Sequence, residues 1–78
     1  MTFDEAAKFV MRIGKYKGRP LDEIANTDGG LLYLDWLIGD MQRRPYSGAA
    51  GTLAAVKAYL SDPTIANEVA SIIRDRTT

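Results

Sequence analysis

The least generic stretch of this 78-residue sequence is MRIGKYKGRPL, at residues 11–21. Its middle alternates cations with an aromatic residue and a glycine, in the order Lys15, Tyr16, Lys17, Gly18 and Arg19. Residues two apart project from the same face of an extended chain, so a straight segment would place the three cations together. Gly14 and Gly18 tolerate positive φ, which indicates a turn near residues 16–18. Pro20 cannot donate a ladder hydrogen bond, so we predict a short β-hairpin whose second strand lies at a sheet edge or starts near Pro20.

Composition indicates one small globular domain spanning residues 1–78. Hydrophobic residues make up 46% of the chain, and cysteine and histidine are both absent. Without them the chain lacks disulfides, thiolate metal sites and the commonest general base, so we predict no catalytic residues, no metal and no cofactor. No apolar run approaches the roughly 20 residues of a membrane helix, and no signal peptide is visible, so we expect a cytoplasmic protein without membrane contact.

The formal net charge of zero conceals two blocks of opposite sign. Residues 8–19 contain five cations and no acid, whereas residues 20–41 contain five acids and no cation. A basic block beside an acidic one indicates a local binding surface, although zero net charge provides little long-range attraction.

Capping residues and apolar periodicity predict four helices. They are expected at about residues 3–10, 30–41, 47–60 and 63–75. Thr2 is the predicted N-cap of the first, Thr27 or Asp28 of the second, and Asp62 of the fourth. The third is expected to start near Ser47 or Thr52. The predicted fold class is therefore α+β, with a hairpin module at about residues 9–41, a C-terminal helical pair at about 47–75, and the hairpin packed on about four helices.

Five segments together resemble the C-terminal domain of exodeoxyribonuclease X. They are FVM at 9–11, GKYKG at 14–18, PLDEIA at 20–25, Thr27-Asp28, and YLDWL at 33–37. Relatives of that domain include small stand-alone bacterial and phage proteins and the family labelled putative quorum-sensing-regulated virulence factor. The resemblance covers about residues 7–38 and implies a module that helps a separate catalytic domain to engage nucleic acid.

This chain departs from the family pattern at two places. Ile13 stands where an aromatic residue is expected, and Gly29 and Gly30 lengthen the loop before Tyr33. The chain also lacks the carboxylate set of a nuclease, so the resemblance implies no exonuclease activity.

The predicted nucleic-acid-binding residues lie in the glycine-flanked segment. They are Arg12, Gly14, Lys15, Tyr16, Lys17, Gly18 and Arg19. Cations would contact phosphates, Tyr16 would stack on an unpaired base, and the glycines would let the backbone approach a phosphate. The alternative is that the cations solvate an edge strand and keep it from pairing, while Tyr16 packs on the core.

Three further groups have competing interpretations. A cluster of Arg43, Arg44 and Tyr46 would extend the basic surface. The favoured interpretation is an ordinary helix C-terminus, where cations interact favourably with the negative end of the helix dipole. Trp36, at helical spacing in an apolar helix, is predicted to lie in the core rather than on a stacking platform. Asp22 and Glu23 would be adjacent on a strand without a third ligand, so a structural role is favoured over a metal site.

The resulting hypothesis is a non-enzymatic nucleic-acid-binding accessory module, with DNA favoured over RNA and no strong sequence preference. The alternative is a bacterial or phage protein-interaction module that docks on an acidic partner, such as a replication, repair or host regulatory protein. The sequence leaves the oligomeric state open.

Overall fold

The computed structural model describes residues 1–44 and 49–77, and within those ranges every regular element is an α-helix. The helices are α1 (Phe3–Lys8), α2 (Leu21–Ile24), α3 (Asp28–Arg43), α4 (Ala49–Leu60) and α5 (Pro63–Thr77). No strand is present in that part of the chain, and its β-type pairing is a single isolated antiparallel bridge between Val10 and Pro20. The predicted α+β class and the β-hairpin are therefore wrong, and the domain is all-helical where it is described.

The predicted hairpin segment is a loop closed by its own turns. At its base, the Met11 N–H donates to the Arg19 carbonyl at 2.9 Å and the Leu21 N–H donates to the Phe9 carbonyl at 3.0 Å. Inside it, two i→i+3 turns use the N–H groups of Lys17 and Arg19. Because those donors are bonded within the loop, they are not available for a ladder, and the antiparallel pairing stops after one bridge. We call residues 12–19 the basic loop.

The first helix begins as predicted and ends two residues early. The Thr2 hydroxyl accepts a hydrogen bond from the Glu5 N–H at 3.2 Å, which confirms the N-cap. Phe9 has extended backbone angles, and its carbonyl bonds to Leu21 rather than to the next helical turn. The closure of the basic loop therefore ends α1 at Lys8.

The sequence patterns did not predict α2, a single helical turn directly after Pro20. The Pro20 carbonyl accepts hydrogen bonds from the Glu23 and Ile24 N–H groups, and both apolar residues of the turn are buried. This turn connects the basic loop to α3, and it contains Asp22 and Glu23, which were expected to be adjacent on a strand.

The longest helix, α3, has the predicted cap but extends further at both ends. The Thr27 hydroxyl accepts from the Gly30 N–H at 3.1 Å, so Thr27 is the N-cap. Gly30 lies against the Ile24 carbonyl, and a Cβ at this position would overlap that oxygen. The glycine thus allows α3 to pack closely on α2.

The C-terminal pair follows the predicted restart at Asp62-Pro63. The Asp62 carboxylate accepts from the N–H groups of Thr64 and Ile65, at 3.1 and 3.3 Å, and α5 begins at Pro63. The end of α4 at Leu60 also agrees with the prediction. Thr52 lies inside α4 and is buried, so the helix does not begin there; the alternative start at Ser47 lies outside the described residues.

The core lies among α1, α2, α3 and α4, and Met11, just before the basic loop, also belongs to it. Its main buried side chains are Ala6, Met11, Leu21, Ile24, Leu34, Leu37, Met41, Ala55, Val56 and Tyr59. Leu34, Leu37 and Met41 form the inward stripe of α3. Within residues 1–44 and 49–77, none of the helices has both the length and the apolar character required to cross a bilayer.

Trp36 is outside this core, contrary to prediction. Its surface is 54% exposed. Successive residues of an α-helix are about 100° apart, so Trp36 is rotated away from Leu37 and from the inward stripe. The helix is apolar around much of its circumference, but only one side of it is covered by the other elements.

Candidate nucleic-acid interface

The basic loop presents its cations to solvent. Met11 and Leu21 are buried on either side of the loop, whereas Arg12, Lys15, Lys17 and Arg19 are all exposed. These buried anchors tie the loop to the core and leave the side chains between them outside. The structure therefore places all four predicted cations on one accessible segment.

Of these four cations, Arg19 already has an acidic partner. Its guanidinium lies 2.9 Å from the Glu23 carboxylate, one turn away, with both side chains more than half exposed. An exposed pair of this kind stabilises a protein by less than about 1 kcal/mol, so a phosphate could displace it. Within the described residues, Arg12, Lys15 and Lys17 form no ion pair.

Two of the cations that lack an acidic partner lie over aromatic rings. The Arg12 guanidinium is 5.6 Å from the centroid of the Phe9 ring, and the Lys15 ammonium is 5.6 Å from that of Tyr16. Contacts within about 6 Å are attractive, because the face of the ring carries negative partial charge. These contacts hold the cations beside apolar surface while leaving their charge uncompensated.

Three aromatic rings form a continuous row from the basic loop onto α3. Tyr16 meets Tyr33 nearly edge-on, with ring centroids 5.0 Å apart. Tyr33 then meets Trp36, with centroids 5.8 Å apart and ring planes inclined by 38°. The last two are three residues apart on the helix and so occupy neighbouring positions on one face. We call Tyr16, Tyr33 and Trp36 the aromatic row.

The accessibility of the rings increases along this row. Tyr16 and Tyr33 are half-buried and pack against the core, which agrees with the alternative interpretation of Tyr16. Trp36 is more than half exposed. The ring best placed for an external ligand is therefore Trp36. Sequence analysis considered Trp36 for a stacking platform but favoured the core, because apolar residues extend around most of α3 and do not single out one buried face.

The two loop glycines have different surroundings. Gly14 has a φ of 77°, and the Tyr33 hydroxyl occupies the space that a Cβ would take. Gly14 thus lets the basic loop pack on α3. Gly18 has a φ of 91° and has no atom within 4 Å of its Cβ position, so its backbone is open to close approach from outside.

The predicted extension of the site is only partly described. Arg43 and Arg44 are both exposed at the C-terminal end of α3, and the Arg44 guanidinium is 3.7 Å from the Asp40 carboxylate. Arg43 is seven residues beyond Trp36, which places it on the same helical face, roughly 10 Å further along the axis. Tyr46, the third member of the predicted extension, lies outside the described residues.

The two adjacent acids of α2 have separate protein partners. The Tyr59 hydroxyl donates to Asp22 at 3.2 Å, and Glu23 pairs with Arg19. Burial of the Tyr59 side chain, together with the nearby Asp22 carboxylate, raises the pKa of the phenol to about 12. In the part of the chain that the structure describes, no group of three candidate metal-ligating side chains is found.

The resemblance to the C-terminal domain of exodeoxyribonuclease X involves about residues 7–38, which include the basic loop and the aromatic row. It stays a prediction, as does the nucleic-acid role that it implies. The candidate interface is therefore identified from the structure alone, as a surface where exposed cations lie next to a row of aromatic rings. No family model, curated protein or solved structure matches this chain.

Proposed function

We propose that this protein is a small non-enzymatic nucleic-acid-binding module whose basic loop contacts phosphates. One observation carries the proposal: Lys15, which has no acidic partner within the described residues, lies over Tyr16 at the start of the aromatic row. Cations beside accessible aromatic rings are typical of proteins that bind nucleic acid through its backbone and bases.

The phosphate contacts are assigned to Arg12, Lys15 and Lys17, with Arg19 as a fourth cation released from Glu23. Each phosphate neutralised by a cation releases condensed counterions, and this release makes the binding sensitive to salt. Such contacts carry no base information, so binding is expected to tolerate many sequences. Affinity is expected to be modest, because net charge is zero and acidic residues follow the loop.

The biological setting that we propose is an accessory role to a separate enzyme acting on DNA rather than RNA, in the cytoplasm. The absence of cysteine from the sequence favours a reducing compartment. In this setting the module contributes affinity for the backbone, while catalysis belongs to the partner enzyme.

The test is a fluorescence-anisotropy titration of labelled single-stranded and duplex oligonucleotides at low and moderate salt. The double variant Lys15→Ala/Lys17→Ala is compared with Lys57→Ala/Arg76→Ala, which removes two exposed positive charges from α4 and α5. We expect the first variant to bind at least about tenfold more weakly. Its salt slope on single strands should fall by about 1.4, since each phosphate contact contributes about 0.7.

The control variant should retain most of its affinity, and circular dichroism should show that both variants are folded. If the wild type binds no oligonucleotide at low salt, or if both variants lose the same affinity, the proposal is wrong. An acidic protein partner would then be sought for the basic loop.

A further inference from the structure

We propose that Trp36 stacks on an unpaired base, so that the interface selects single-stranded over duplex nucleic acid. This inference rests on the proposed function, because the cations of the basic loop must hold the strand for the ring to engage a base. It names the form of the ligand and assigns a residue that the sequence patterns placed in the core.

The exposure of Trp36 is the first observation. The residue is 54% exposed, on a helix whose buried face includes Leu34, Leu37 and Met41. A tryptophan side chain can bury about 150–250 Å² of mostly apolar surface, so an exposed one forgoes a large stabilisation within its own chain. A ligand that covers this ring recovers that contribution.

The neighbouring residues leave the ring open along the helix. Gly39, three residues further on, is its neighbour in the next turn and has no side chain. Apart from the adjoining residues and the backbone of α3 itself, nothing lies within 4 Å of the position that a Cβ would take at Gly39. The next neighbour, Asp40, lies 3.7 Å from Arg44, which offsets its negative charge. A flat ring can therefore approach Trp36 from the side of Gly39 without displacing a bulky residue.

The third observation is the connection to the cations. Lys15 contacts Tyr16, Tyr16 contacts Tyr33 and Tyr33 contacts Trp36, each with a separation below 6 Å. Arg43 lies on the same face of α3 beyond Trp36. A strand bound to the basic loop would pass along this row and meet positive charge again at Arg43, which is the charge pattern that favours a polyanion over a neutral protein surface.

The geometry of stacking then determines whether the interface binds single strands or duplex. In a duplex both faces of each base are covered by neighbouring base pairs, and exposing one costs unpairing and unstacking. In a single strand the bases can be splayed out and stacked on aromatic side chains. Trp36, the exposed ring of the row, lies on the outer face of α3 rather than in a pocket that could receive an extruded base, so it suits a strand that is already unpaired.

The chain itself provides a local reporter, because Trp36 is its only tryptophan. We would titrate the protein with an unlabelled oligodeoxythymidylate of about 12 nucleotides, within the usual site sizes of single-strand binders, and with a duplex of equal length. The single strand should quench the Trp36 emission, with a midpoint equal to that from anisotropy. The duplex should leave the emission unchanged.

Trp36→Ala, Trp36→Phe and a control, Ile73→Ala, would be titrated in parallel by anisotropy. Trp36→Ala should weaken single-strand binding by about 5- to 150-fold, which is the range of one stacked base, and should leave the salt slope and the duplex affinity unchanged. Trp36→Phe should retain most of the affinity because it keeps an aromatic face. Ile73→Ala, which shortens an exposed apolar side chain on α5, should have no effect.

The outcomes separate this inference from the proposed function. If single strands bind through Lys15 and Lys17 while Trp36 emission is unchanged and Trp36→Ala binds normally, stacking is wrong and phosphate binding stands. Equal losses on single strands and duplex would likewise overturn the selection of unpaired bases. If the wild type binds neither, both proposals fail. Should Trp36→Ala not fold, the quenching and Trp36→Phe still decide the question.

Discussion

The Tyr59 hydroxyl donates a hydrogen bond to the Asp22 carboxylate at 3.2 Å, joining two residues that are 37 positions apart in sequence. Tyr59 is buried in α4, and Asp22 belongs to the single turn of α2 that follows the basic loop. The bond satisfies a buried phenol and fixes α2 against α4. It therefore helps to hold the end of the basic loop in place.

Tyr59→Phe should lower the free energy of unfolding by about 1 kcal/mol. This is less than the roughly 1.5–3 kcal/mol of a hydrogen bond to a charged group, because the exposed Asp22 carboxylate can be hydrated again. The ring would keep its edge-to-face contact with Phe3, whose centroid is 4.9 Å away. Urea denaturation monitored by circular dichroism measures the difference. Asp22→Asn, which keeps an acceptor oxygen, should cost less; a larger loss for Asp22→Asn would contradict this assignment.

The same phenol predicts a loss of stability at alkaline pH. Its pKa is raised from 10.0 to about 12 in the folded chain, first by burial and then by Asp22. The folded state holds the phenol proton more tightly than the unfolded state does. The contribution of the protonated phenol to the free energy of unfolding is therefore complete below the unfolded pKa and is lost as pH rises towards the folded pKa. Denaturation at about pH 9 and about pH 11 should show a fall for the wild type that is smaller in Tyr59→Phe. Equal falls would show that other groups cause it.

Gly14→Ala should destabilise the protein more than Gly18→Ala does. Both glycines have positive φ, at 77° and 91°, so alanine is strained at each by about 1–2 kcal/mol. Only at Gly14 would the new methyl group also overlap the Tyr33 hydroxyl. Urea midpoints of the two variants provide the comparison. Adding Tyr33→Phe to Gly14→Ala should recover part of the loss, whereas no recovery would show that backbone strain alone is responsible.

Gly30→Ala and Gly29→Ala should change stability in opposite directions. A methyl group at Gly30 would overlap the Ile24 carbonyl, a backbone atom that cannot rotate away, so we expect a loss of about 3 kcal/mol or more. Gly29 lies in the first turn of α3 with no atom within 4 Å of its Cβ position, so alanine there should add up to about 1 kcal/mol. Thermal unfolding of both variants tests the contrast, and a stable Gly30→Ala would contradict the close packing of α2 on α3.

Glu23→Gln should strengthen oligonucleotide binding if the basic loop contacts phosphates. The substitution removes the carboxylate that lies 2.9 Å from Arg19 and leaves four loop cations without an acidic partner in the described chain. We expect a gain of about two- to fivefold at low salt that shrinks as salt screens the charges. Glu68→Gln, on α5, makes the same change of charge elsewhere and should produce a smaller gain. Equal gains would indicate a general charge effect rather than release of Arg19.

The N-caps of α1, α3 and α5 were predictable from the sequence because capping depends on residues two or three positions apart. Thr2, Thr27 and Asp62 each accept a hydrogen bond from a backbone N–H two or three residues ahead. The turn positions of Gly14 and Gly18 were also predictable, because glycine tolerates positive φ, and both residues have it. The exposure of the loop cations also followed from the sequence, because removing an unpaired charge from water is costly.

Two features depended on contacts between distant residues. The pattern of residues 11–21 is compatible with both a hairpin and a closed loop, and the difference lies in whether the N–H groups of Lys17 and Arg19 bond across strands or within turns. The outward position of Trp36 depended on which side of α3 the other helices cover. A helix with apolar residues around most of its surface has no unique buried face until its neighbours pack. Here α4 and α5 pack on α3, and Leu34, Leu37 and Met41 are buried while Trp36 stays exposed.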